Sequence, residues 1–303
     1  MNQFDAAQLW KTIWDQKLLH IILFSAFLLS LVGVLSFRNM LIKRRRLFGI
    51  VRYTMLAISF LYVGLFLKAQ PTTANLVILT TALHNGQFPL GLFMLEPYIF
   101  LSFLFIGITA FVWGRGAFCG WLCPYGAMLE LLHKGYSKLF PKGSIRVPDK
   151  INRRLVWVKY GIFAVIIGVT FYNFLIAEFM TEVEPFRTLV LKLNREWYFV
   201  LYFGILTVAS LVFYRAFCRY LCPLGAAVAL PSFIKYLPFL KLRRYGFCSH
   251  CKICAKDCNP SAIHSDGTIN YTECLTCLDC QLNYVGESCP GKKKEEGRGI
   301  DNS

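Results

Sequence analysis

Charge is scarce in this chain, and negative charge is scarcer still. Only 17% of its 303 residues are Asp, Glu, Lys or Arg, and 17 acids stand against 33 bases, for a formal net charge of +16. So little charge, beside 56% hydrophobic residues and a mean hydropathy of +0.48, excludes an ordinary soluble domain and points to a membrane protein. No nucleic-acid recognition motif accompanies the basic excess, which argues against DNA or RNA as a partner. The bases lie beside apolar runs instead, where they meet lipid headgroups and set orientation. Nor is a cleavable signal peptide evident in the start, MNQFDAAQLWKTIWDQK, which has neither a basic beginning nor a small-residue cleavage site.

In place of charge the chain has long apolar runs. A bilayer crossing needs about 20 such residues. Five runs approach or exceed that length: 18–37, 47–67, 98–114, 155–177 and 197–214. They predict an α-helical membrane protein of about five transmembrane helices. Arg52 falls near one end of the second run, where it can snorkel, and Lys159 near the start of the fourth. The first connection, RNMLIKRRR, carries five bases, the second, 69–95, none, and the third eight. The odd-numbered connections are therefore cytoplasmic, with the N-terminus outside and the C-terminal part inside. The uncharged 69–95 stretch reads as a helix at the outer interface or dipping into it. His84 within it reads as an interfacial polar group, with haem ligation or quinone contact as the alternative. His20 and His133 carry the same pair of readings.

The cysteines are organised. CSHCKICAKDC supplies Cys248, Cys251, Cys254 and Cys258, and CLTCLDC supplies Cys274, Cys277 and Cys280, followed by Cys289 before a proline. This is the spacing of a bacterial two-cluster ferredoxin, in which three thiolates two residues apart wrap one cubane and the fourth reaches the other. Cys248, Cys251, Cys254 and Cys289 are thus assigned to one [4Fe–4S] cluster, and Cys258, Cys274, Cys277 and Cys280 to a second. Zinc sites use C-x2-C pairs rather than triplets, and disulfides do not suit a cytoplasmic domain. Ferredoxins usually place proline directly after the fourth cysteine of the first run; here Asn259 intervenes before Pro260. Asp266–Gly267, flanked by Ile263 and Ile269, signals a β-hairpin between the two runs.

Four further thiols lie outside this region. GAFCGWLCPYGAM and RAFCRYLCPLGAA share A-F-C-x-x-L-C-P-x-G-A at an offset of 99 residues, placing Cys119 with Cys218 and Cys123 with Cys222. Each follows an odd-numbered run at the cytoplasmic face, and a Glu-Pro pair precedes each unit, at Glu96–Pro97 and Glu184–Pro185. The pattern is an internal repeat of parallel orientation. The four thiols read as ligands of a further cluster or soft metal, as helix-terminating packing residues, or as a redox-active dithiol. Glu130 and His133, three apart after the first motif, read as part of an exposed amphipathic helix face, with proton exchange the alternative.

With these motifs on view, the chain resembles the membrane and ferredoxin parts of NosR-type proteins over about residues 45–290, and NapH-type quinol dehydrogenase subunits more distantly. The resemblance implies a subunit of the bacterial cytoplasmic membrane that carries electrons from quinol to an extracytoplasmic reductase of the nitrous-oxide or nitrate type. It implies a partner flavoprotein, cytochrome or reductase subunit. NosR-type proteins carry a flavin-binding domain before the first span, and the 17 residues before Leu18 are expected to lack it. The expected organisation is an extracytoplasmic segment at 1–17, a transmembrane domain at 18–244, a small α+β ferredoxin domain of two [4Fe–4S] clusters at 245–290, and a disordered tail at 291–303. A redox-sensing regulatory membrane protein and a metal-handling assembly factor are the alternatives.

Overall fold

The computed structural model describes residues 3–86, 94–141, 143–234, 240–242, 251–264 and 266–285, with side chains from residue 10 to residue 283. Cys248, Cys289, the expected boundary at 245 and the tail 291–303 lie outside the described residues.

The described chain is almost entirely helical. Two helices are long and apolar enough to cross a membrane by length and composition: Leu18–Ser36, and Arg45–Phe66, whose last eight residues are wound as a π-helix. Pro97–Val112 and Trp197–Val212 are apolar but have 16 residues each. At about 1.5 Å per residue that is about 24 Å, short of a hydrocarbon core of about 30 Å. Both stop early for a local reason. The first ends where Gly114 takes φ 82°, a left-handed conformation that glycine adopts without steric cost. The second ends where Phe213 turns extended. Each then folds into its cysteine motif.

The fourth apolar run lies mostly within helix Asp149–Thr170, and Asn173 starts the next helix, Phe174–Met180, by accepting from the Leu175 and Ile176 amides. The 69–95 stretch contains helix Thr73–His84, opened by a reciprocal cap between Thr72 and Asn75. In the cysteine-rich end, Ile263 pairs with Ile269 in an isolated antiparallel bridge around Gly267 at φ 80°.

A large hydrophobic core joins the helical part to the cysteine-rich end, and a smaller one gathers Val77, Ile166 and Ala177. Phe24, Leu31, Phe105, Trp121 and Phe217 of the helical part share the large one with Leu275 and Leu278 of the cysteine-rich end. The uncovered helix faces carry large apolar side chains, among them Leu29, Ile50, Phe66 and Trp157, each more than 60% exposed.

One reading of a charged residue is corrected by the structure. Arg52 does not snorkel: it is 2% exposed and paired with Glu130 at 2.6 Å. Lys159 likewise is fully buried and bonded to Glu273. The physical reason is that each has a carboxylate from a distant part of the chain to meet, so turning inward leaves no bare charge.

Candidate iron–sulfur sites

The two C-x3-C-P motifs fold alike. In each, the second cysteine donates its amide to the phenylalanine five residues back, Cys123 to Phe118 at 2.9 Å and Cys222 to Phe217 at 3.0 Å. In each, that cysteine is the N-cap of the following helix, Pro124–Leu139 or Pro223–Ala229. Its sulfur accepts from the glycine amide three residues on, Gly126 at 3.4 Å and Gly225 at 3.2 Å. Proline follows at the first helical position, where its missing amide costs nothing. The motif is therefore a device that aims a thiol at the start of a helix.

All four of these thiols, Cys119, Cys123, Cys218 and Cys222, line a single cavity of about 20 Å³, closed by Phe118, Tyr125, Phe186 and Phe217. Gln70 lines it as well, its amide 3.6 Å from the Cys123 sulfur. Cys258, Cys274, Cys277 and Cys280 line a second cavity, also of about 20 Å³. Asn259 does not divert Cys258, which is buried and accepts from the Ala262 amide at 3.3 Å. Of the other expected set, Cys251 is exposed, just before helix Ile253–Asp257, and Cys254 is partly buried within it. Cys248 and Cys289 lie outside the described residues.

None of the ten described cysteines is in a disulfide. Burial pushes the Cys258 thiol up to about 11, and raises Cys274 and Cys277 as well. Buried thiolates at neutral pH therefore call for a cation among them. Among the described residues no three His, Cys, Asp or Glu side chains approach closely enough to hold one metal ion. A tetrahedral zinc site brings its sulfurs within about 3.8 Å of one another. Four thiols lining one shared cavity are the donor set that a cubane cluster takes.

The two cavities are joined by a docked loop. Residues 275 and 276 lie against Gly116 and Gly120; a side chain at Gly120 would run into the Leu275 carbonyl, and one at Gly116 into Thr276. Trp121 Nε1 donates to the Thr276 carbonyl at 3.1 Å. Arg115 donates to the Thr272 carbonyl at 2.9 Å and pairs with Glu273.

Behind the first cavity lies an ion cluster that the sequence reading did not anticipate. Glu130 is fully buried, with Arg52 and Arg215 each at 2.6 Å and the Tyr214 hydroxyl donating at 2.7 Å. Burial would raise the Glu130 carboxyl; the two guanidiniums outweigh it and hold it well below the usual carboxylate range. The exposed amphipathic face expected for Glu130 and His133 is thus overturned. His133 is 2% exposed, bonded to the Leu211 carbonyl at 2.8 Å. Arg215 also donates to the Cys119 carbonyl. It sits at φ 47°, a conformation uncommon outside glycine and held here by its bonds. His20 meets the Tyr62 hydroxyl at 3.2 Å and His84 packs edge-on to Phe171, so the three histidines have separate local partners.

Two pairs of capped thiols on helices, docked to a ferredoxin-like cysteine loop, define an iron–sulfur protein of polyferredoxin type. The comparisons agree. The family model described as a 4Fe-4S binding domain matches twice, at residues 95–148 and 196–244, one match for each C-x3-C-P motif. The NosR family model matches residues 247–299. Regulatory protein NosR of Pseudomonas aeruginosa is 37% identical over 98% of this chain and 42% of its own length. Protein NirI of Paracoccus denitrificans is 36% identical over 95% of this chain and 42% of its own. A shorter Regulatory protein NosR sequence from Pseudomonas aeruginosa is 48% identical over 27% of this chain and 84% of its own length. No solved structure matches. The chain belongs to the NosR family, and it spans about two-fifths of the length of the full curated relatives.

Proposed function

We propose that this chain is a membrane-embedded electron-transfer unit that takes electrons from quinol and passes them toward an extracytoplasmic reductase, as in nitrous-oxide or nitrate respiration. The observation that carries the reading is the pairing of the two thiol cavities across the loop 274–277, which rests on Gly116, Gly120 and Trp121. In this reading Cys119, Cys123, Cys218 and Cys222 hold one [4Fe–4S] cluster. Cys258, Cys274, Cys277 and Cys280 hold a second, and Cys248, Cys251, Cys254 and Cys289 a third. When bound, these groups supply one-electron transfer. The chain's own residues fix spacing and electrostatics. Gly116 and Gly120 permit close approach, Gln70 and Gly126 donate to the Cys123 sulfur, and Arg115 and Arg215 place fixed positive charge beside the first motif.

The same reading has five crossings, with the two 16-residue helices completed by the residues that lead into each cysteine motif. The C-terminal module, 245–290, then lies on the cytoplasmic side, below the basic first and third connections. Large apolar side chains on the outer helix faces suit a lipid surface.

Anaerobic purification followed by iron and sulfide analysis tests the proposal. About twelve irons per chain are expected, against about eight if only the ferredoxin run is loaded. Cys119→Ser should remove about four irons. Twelve irons in the variant, or eight in the native chain with all twelve cysteines intact, refute the membrane-edge cluster. A second reading is favoured by the name of the relatives, regulatory protein: the clusters would report redox state rather than carry flux. Sustained quinol oxidation by the purified complex separates the two, since a sensor titrates once and stops.

A further inference from the structure

A cavity of about 680 Å³ opens beside the second thiol site, between helix Asp149–Thr170, the turn Leu230–Phe233 and the hairpin of the cysteine-rich end. Its wall is aromatic. Trp157, Tyr160 and Phe233 lie with ring centroids 5.4 to 6.2 Å apart, and Trp157 and Phe233 remain 62% and 50% exposed. Its polar groups are unfinished. Tyr160 Oη, Ser232 Oγ and Glu273 Oε2 are all buried and all lack a hydrogen-bond partner. A buried polar group left bare is costly, so three in one cavity mark a place that a ligand completes. Ile269 lines both this cavity and the one ringed by Cys258, Cys274, Cys277 and Cys280. An occupant is therefore one side chain away from that thiol set.

We propose that this cavity is the quinol-binding site of the chain, an inference that rests on the electron-transfer reading above. The chemistry selects the ligand. The aromatic wall takes a flat, apolar ring. Unpaired hydroxyls and a carboxylate oxygen on the other side take hydroxyl or carbonyl groups at the ring's edge. Asp266 and Glu273 face the cavity against Arg153, and Lys159 is already held by Glu273, so a phosphate or carboxylate ligand is disfavoured. Leu230 and Ile234, which flank the turn, are exposed and offer an apolar track for a hydrocarbon tail. Oxidation of the bound quinol to quinone breaks its two O–H bonds and releases two electrons and two protons. An iron–sulfur group, which Cys258, Cys274, Cys277 and Cys280 would hold, would supply the one-electron acceptor across Ile269; the protons leave to water through the cavity's open side.

The test uses the cluster-loaded protein in phospholipid nanodiscs and a short-chain ubiquinone analogue as probe. Quinones quench tryptophan fluorescence on contact. Saturable quenching is expected in the native chain, with its saturable part lost in Trp157→Phe, which keeps an aromatic wall and still binds. Ser232→Trp fills the cavity and should abolish saturable binding. Tyr160→Phe should weaken it three- to tenfold, the worth of about one hydrogen bond, with iron content unchanged. If Ser232→Trp loses its iron, the Trp157 and Tyr160 variants decide alone. Undiminished saturable quenching in Trp157→Phe and unchanged affinity in Tyr160→Phe, with quinol still reducing the clusters, overturn this site and leave the electron-transfer reading standing. Non-saturable quenching only, together with clusters that quinol does not reduce, overturns both.

Discussion

The two C-x3-C-P motifs are nearly the same object locally and opposite in their surroundings. Both wind the same five-residue turn, cap a helix with the second cysteine, and share one cavity. They differ at the positions between and before the thiols. Where the first motif has Gly116, Gly120 and Trp121, the second has Arg215, Arg219 and Tyr220. The glycines of the first give backbone access to the loop 275–276, and its tryptophan bonds to it. The arginines of the second reach back into the protein, Arg215 to Glu130 and Arg219 to Asn152 Oδ1 at 2.7 Å. A duplicated motif has thus divided its labour: one copy is the docking face, the other the anchor. The lesson is that the shared letters set the thiols, while the unshared letters set what the thiols connect to.

Making the first copy resemble the second should do the most damage. Gly120→Arg drives a long side chain into the Leu275 carbonyl, so the cysteine-rich end cannot seat. The expected outcome is loss of electron transfer between the two thiol sites, read by rapid-mixing reduction kinetics, with the membrane-edge iron retained. The reverse change, Arg219→Gly, leaves Asn152 short of a partner and should cost only about 1–3 kcal/mol.

Next in size is the anchor itself. Glu130→Ala strips Arg52 and Arg215 of their buried counter-charge, and should cost about 3–5 kcal/mol in detergent unfolding. Glu130→Gln sharpens this through pH. The native carboxyl is held below its ordinary value, so its stabilising effect is full above about pH 4.5 and falls away as pH drops below that. The gap between native and Gln variant should therefore narrow on acidification and not on moving toward pH 8.

Smaller still is the cap. At Cys222, serine keeps an acceptor for the Gly225 amide while losing the proposed cluster ligand, whereas alanine loses both. Both variants should lose cluster iron equally, and the alanine form should be less stable by about a further 1 kcal/mol. At Cys218, which caps no helix, serine and alanine should differ little. Smallest is Trp121→Phe, which deletes one bond to the Thr276 carbonyl and should cost about 1 kcal/mol.

Much of this was legible in the chain's letters, and the failures share a cause. The repeat, the thiol spacing and the Asp266–Gly267 turn are local patterns, and periodicity and spacing report local patterns well. The lengths of the apolar helices were less legible, because a hydropathy run does not say where a glycine such as Gly114 will turn the chain out of its helix. Arg52 and Glu130 were misplaced because each is the other's partner across 78 residues, and the Lys159–Glu273 pair spans 114. A charged residue in an apolar run is ambiguous until its counter-charge is found, and nothing in a single sequence pairs them. The signal that was present is scarcity: in a chain so poor in acids, a carboxylate such as Glu130 or Glu273 beside a thiol motif has few places to be idle.

The seating of the loop on Gly116 and Gly120 has a kinetic consequence. Many redox chains hand electrons on by swinging a carrier domain between two docking points, and their turnover slows as solvent thickens. On the electron path proposed above, the cysteine-rich end is pinned by Trp121, Arg115 and a backbone approach with no room to slide. Transit between the thiol sites is then a matter of tunnelling across a fixed gap, and its rate should stay level when glycerol or sucrose raises the viscosity around the protein.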